Sequence, residues 1–108
     1  MKPFTLPALA LALAIGAAPV AAQTYPSQPI KLIVGYAPGG SVDAFARLVA
    51  PKLGQELGQT IVIENIAGAG GIIGVTRAVH AKPDGYTILM ATVSDVVIAP
   101  QVQASAKY

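Results

Sequence analysis

The 108 residues contain no cysteine, a single histidine (His80), and only 11% charged side chains. The missing cysteine excludes a disulfide framework, a thiolate zinc site, a thiol nucleophile and a lipid anchor attached through cysteine. The net charge is +2 and no cluster of Lys or Arg occurs. That excludes an electrostatic nucleic-acid surface, which needs a basic patch or stripe. Acidic residues are few and scattered: Glu64 and Asp95 stand isolated in the sequence, so no carboxylate pair or metal-binding cluster can be named. What is abundant is apolar: 54% of the chain, too much for a disordered segment. The length allows one small domain at most.

The first 22 residues read differently from the rest. Lys2 is followed by an Ala/Leu/Ile run from Ala8 to Ala18 and then by Pro19-Val20-Ala21-Ala22 before Gln23. A positive start, a short apolar stretch and small residues at the end are the layout of a secretory signal, with cleavage expected after Ala22. A membrane span needs about 20 apolar residues, and Pro7 and Pro19 bracket a shorter run.

Beyond the leader, Ile30-Lys31-Leu32-Ile33-Val34-Gly35 is a nearly continuous β-branched run, the pattern of a strand buried on both faces. Tyr36 to Ser41 forms a tight loop, and Ser41 is placed to cap a helix with Asp43 in its first turn. Val42, Phe45, Ala46, Val49, Leu53 and Leu57 recur at helical spacing, with Pro51 expected to kink or restart the helix and Gly58 to stop it. The unit repeats: a strand over Thr60–Glu64, a Gly-rich loop over 65–71, a shorter helix through Ile72, Val75, Thr76 and Val79, a turn at Lys82-Pro83-Asp84-Gly85, and a strand over Tyr86–Thr92. Such alternation predicts right-handed crossovers, an α/β class and a parallel βαβαβ sheet over residues 23–100. Val93–Pro100 reads as a loop and short helix, and Gln101–Tyr108 as an irregular tail. A small domain exposes much of its surface, and this chain is too apolar for that. It also stops without a closing element, so it is expected to be a fragment.

In an open parallel sheet, ligands bind beyond the carboxyl ends of the strands. Both loops there are Gly-rich and both open a helix. Glycines let backbone approach a ligand, and free N–H groups at a helix start attract an anion. Side by side, the two starts can hold one carboxylate, or one each; the same glycines also suit tight strand-to-helix turns. A dinucleotide site is disfavoured, because after Gly68 and Gly70 the next required glycine is Ile73, with Gly74 one residue late; neither loop has the Gly-Lys-Ser/Thr of a phosphate loop. His80, near the far end of the second helix, is too remote to serve Ser41 as a base. Ser41 reads as a cap or ligand contact, and Asp43 as a dipole partner or ligand-site hydrogen bonder.

Tyr25-Pro26-Ser27-Gln28-Pro29-Ile30-Lys31-Leu32-Ile33-Val34 and Ala37-Pro38-Gly39-Gly40-Ser41-Val42-Asp43 closely resemble the opening of the Bug family, the extracytoplasmic substrate-binding proteins of tripartite tricarboxylate transporters. Leu57-Gly58-Gln59, Val62-Ile63-Glu64-Asn65, Gly68-Ala69-Gly70-Gly71 and Pro83-Asp84-Gly85-Tyr86-Thr87 follow in the same order, so the resemblance runs from Tyr25 to about Pro100. It implies the N-terminal part of a two-domain, periplasmic-binding-protein-like fold, with the rest of the first domain and the second domain absent. It further implies a periplasmic binding protein rather than an enzyme, with no cofactor, a small carboxylate as ligand and the membrane subunits of the transporter as partners. The family grips a carboxylate with the first and second βα loops. Carried onto this sequence, the ligand-binding residues are Tyr36, Gly39, Gly40, Ser41 and Asp43 from the first loop, Ala69, Gly70 and Gly71 from the second, and Thr92 after the third strand. Where the family commonly has Thr-His-Ala-Ile-Asn-Pro, this chain has Asp95-Val96-Val97-Ile98-Ala99-Pro100. The other readings are a secreted remnant without activity and, more remotely, part of a nucleotide-dependent enzyme.

Overall fold

A computed structural model describes residues 22–108. The leader expected over residues 1–22 lies, but for Ala22, outside them. Three parallel strands, β1 (Ile30–Val34), β2 (Ile61–Asn65) and β3 (Thr87–Met90), form one sheet in the order β2-β1-β3. The nearly continuous apolar run thus occupies the central strand, where Ile30, Leu32, Ile33 and Val34 are all buried. The flanking strands are only half-buried, and Val62 on β2 is open to solvent.

Helix α1 (Ser41–Leu57) connects β1 to its neighbour β2, and α2 (Ile72–Val79) returns the chain across β1 to β3. The helices cover opposite faces. Leu32 and Val34 pack on Ala46 and Ala50 of α1, whereas Lys31, Ile33 and Thr87 line a depression with Arg77 and His80 of α2. Ala46 and Ala50, one turn apart, bring α1 close to the sheet. Phe45, expected on that inner stripe, lies outside it at 58% exposure, as does Leu48 at 75%. The inner stripe is built from small residues, so the large ones fall outward.

Two details of α1 correct the expectations. The helix runs unbroken through Pro51. Pro51 lies on the exposed side of α1, as does Arg47, whose carbonyl loses its donor four residues on. Ser41 is the first helical residue, not the cap: Gly40 holds that position in extended backbone, with no side-chain cap. Gly58 ends the helix as expected, left-handed and with its N–H on the Gly54 carbonyl.

After β3 the chain turns directly into a π-type helical stretch (Ser94–Ile98) and then α3 (Ala99–Val102). Helix therefore reaches Val102, past the expected start of the tail. The tail folds back: Ala106 is buried with Ile72 and Ala99, Tyr108 packs against them, and the Tyr108 hydroxyl donates to the Asp95 carbonyl. No described helix is long and apolar enough to cross a membrane.

Candidate functional site

All three loops leave the sheet at its carboxyl edge, because Val34 is in register with Asn65 on one side and Met90 on the other. The first loop is held from beneath by Asp43, which is 2% exposed. Its Oδ2 accepts from the Gly39 N–H (2.9 Å) and from Arg47 Nε (2.8 Å), and its Oδ1 accepts from Asn65 Nδ2 (2.9 Å). The same Asn65 amide donates to the Tyr36 carbonyl at 3.0 Å. Arg47 first, then the Gly39 N–H and Asn65, hold the Asp43 carboxyl well below the usual carboxylate range, against the opposing effect of burial. Asp43 is thus an ionised brace inside the loop, and every oxygen it has is committed to the protein.

The second loop starts at Ile66, whose N–H bonds the Val34 carbonyl at 2.8 Å. A 3-10 turn over Ala69–Gly71 leads into α2. Two glycines here permit contacts that no other residue would. A Cβ on Gly74 would sit 2.6 Å from the Gly35 Cα and 3.0 Å from the Ile66 carbonyl oxygen. A Cβ on Gly71, whose φ is +95°, would sit 2.8 Å from the Asp95 carboxyl carbon.

Asp95 is therefore far from isolated. It is 1% exposed and joins the three loops. Its Oδ2 accepts from the Thr92 N–H at 2.8 Å, its Oδ1 accepts from the Tyr36 hydroxyl, and its carboxylate lies against Gly71. The Tyr36 hydroxyl is also 3.3 Å from Thr92 Oγ1. The hydrogen bond to Asp95 is the main force pushing the Tyr36 hydroxyl above its ordinary pKa. A signal for this cluster was present in the sequence: Thr92-Val93-Ser94-Asp95 has the spacing of a capping box, in which an acid returns to the backbone N–H three residues earlier.

The inferred ligand residues thus separate into three groups. Gly39, Gly40, Ser41, Ala69 and Gly70 are exposed at the edge; Tyr36 and Thr92 are half-buried between β1 and β3; Asp43 and Gly71 are buried supports. No side chain caps the start of α1 or of α2. His80 is exposed at the opposite end of α2, its ring Nδ1 2.8 Å from the Thr76 carbonyl. Among the described residues no group of three or more His, Cys, Asp or Glu side chains could hold a metal ion. A concavity of about 720 Å³ lies elsewhere, along α1 and β2 between Arg47 and Ile63.

The family model for the tripartite tricarboxylate transporter family receptor matches residues 45–108. The chain belongs to this family. It is 50% identical over 78 residues to protein BugT of Bordetella pertussis, covering 72% of this chain and 24% of BugT. MatC from Rhodopseudomonas palustris, solved with bound malate, superposes with a TM-score of 0.58 at 43% identity, covering 60% of this chain and 22% of MatC. A second R. palustris protein, solved with adipate, gives a TM-score of 0.63 at 34% identity, covering 66% of this chain and 24% of the other. The chain spans about a quarter of the length of the curated relatives it matches.

Proposed function

We propose that this chain forms one wall of a periplasmic solute-binding cleft, which captures a small carboxylate and delivers it to the membrane subunits of a tripartite tricarboxylate-type transporter. The observation that carries this reading is the pair of uncapped helix starts at one edge of the sheet. The first-turn N–H groups of α1 find no capping side chain, and Asp43, the nearest carboxylate, is turned inward onto Gly39, Arg47 and Asn65. A ligand carboxylate fits the place that an internal cap would otherwise take. The malate and adipate held by related proteins belong to the same ligand class. The chain reads as a binder and not as an enzyme, since its remaining titratable groups at this edge are already engaged with one another.

Calorimetric titration with malate and adipate tests this. Gly40 has extended backbone, and a Cβ there would meet only the Ala37 carbonyl oxygen at 3.5 Å. Gly40→Val therefore lowers the melting temperature by only a few degrees, about 1 kcal/mol for a poorer helix cap, while its branched side chain covers the α1 start. Bonds to a charged group are worth about 1.5–3 kcal/mol each, so affinity falls roughly tenfold or more. Unchanged affinity in the variant would move the site elsewhere, and a chain that binds neither acid would end the reading. For location, mass spectrometry of a periplasmic fraction should find an N-terminus at or next to Gln23; a product beginning at Met1 in the cytoplasm contradicts export.

A further inference from the structure

The sheet order β2-β1-β3 places the reversal of chain direction between β1 and β3, where ligands of open α/β sheets settle. Tyr36 and Thr92 flank that position and Asp95 lies behind them. The Tyr36 hydroxyl donates its one proton to Asp95 Oδ1. What is left for a ligand on that oxygen is a lone pair, not an O–H. Even with Thr92 donating to it, a lone pair remains. A site built only to grip carboxylates needs donors, yet here the side chain at the centre of the edge is an acceptor. Neither ion pair among the described residues, Lys31–Glu64 or Arg47–Asp43, brings a cation to Asp95, so no positive side chain lies behind Tyr36 to attract a second carboxylate.

Resting on the proposed carboxylate site, we infer that Tyr36, held as an acceptor by Asp95, selects carboxylates that carry a hydrogen-bond donor, a hydroxyl or an ammonium, beside the gripped group. A second carboxylate near Tyr36 meets a lone pair and no cation. A hydroxyl or ammonium there meets a partner. Asp95 acts as a positioning residue, and Tyr36 touches the ligand.

The test compares succinate, malate and aspartate, which share a four-carbon diacid skeleton and differ at one position by hydrogen, hydroxyl or ammonium. The expected result is that malate or aspartate binds roughly tenfold tighter than succinate, and the better of the two identifies the donor. Tyr36→Phe removes the acceptor and collapses the affinity ratio of the preferred acid over succinate to about one, whatever it does to the affinity for succinate. Asp95→Asn reduces the preference and, in an absorbance titration of the phenols, lowers the midpoint of the Tyr36 component that Tyr36→Phe deletes; a residue that merely filled space would leave that midpoint alone. Succinate binding as tightly as malate and aspartate overturns this inference while the carboxylate site stands. Failure of all three acids to bind overturns both. Should Asp95→Asn not fold, Tyr36→Phe decides the matter alone.

Discussion

Asp43→Ala should lower the melting temperature of the chain at neutral pH by roughly 10 °C or more, an effect expected when a buried, fully bonded carboxylate is removed from a domain of this size. The substitution leaves the Gly39 N–H, Arg47 Nε and Asn65 Nδ2 without their acceptor at once. Arg47→Ala should cost much less, because the guanidinium is half exposed and water replaces it. The pH dependence follows from the direction of the Asp43 shift. Its folded-state value is depressed below the ordinary carboxylate value, so the unfolded chain takes up a proton first. The contribution is fully present above about pH 4, the unfolded value. It is lost as the pH falls through the depressed folded value. Melting curves of the wild type and Asp43→Ala should therefore be furthest apart at neutral pH and converge in strong acid. A gap that stays constant from pH 7 to pH 2 would show that the carboxylate's charge contributes nothing.

Gly74→Ala should destabilise the chain by about 3 kcal/mol, the upper part of the range for overpacking, and lower its melting temperature by roughly 10–20 °C. One methyl group has this effect because of what it meets. The Gly35 Cα and the Ile66 carbonyl are both main chain, at 2.6 and 3.0 Å from the added carbon, and neither can rotate away as a side-chain tip can. The whole of α2 has to lift from β1, which strips Val75, 2% exposed, of its packing. Gly40→Ala is the matched control, with no atom nearer than 3.5 Å to the new carbon. A urea melt in which the two variants are indistinguishable would mean that α2 can move outward freely.

The elements were legible where one physical effect dominated. The run from Ile30 to Val34 could only be a strand covered on both faces, and it is the central one. The repeat of strand, Gly-rich loop and helix carried the parallel topology. Periodicity misplaced Phe45, because the inner stripe of α1 was read by hydrophobicity when closeness of packing selected Ala46 and Ala50. Pro51 was read as a kink or a restart, because sequence does not show on which side of a helix the lost donor falls, and the helix does not restart there. The candidate site was read as two Gly-rich loops, and the polar frame beneath them was not read. Asp43 and Asn65 are 22 residues apart, and Tyr36 and Asp95 are 59 apart. Such partners meet only after the sheet has set its register, so no local pattern pairs them. The tail was read only as irregular, and its anchors, Ala106 and the Tyr108 hydroxyl, went unread because they too depend on contacts distant in sequence.

Asn65, the last residue of β2, bonds both the Tyr36 carbonyl and the Asp43 carboxylate. One side-chain amide thereby ties the first loop to the root of the second. On the proposed function, a frame already ordered during folding leaves little ordering to oppose capture, so a few water-exposed contacts at the two helix starts suffice to hold a small carboxylate.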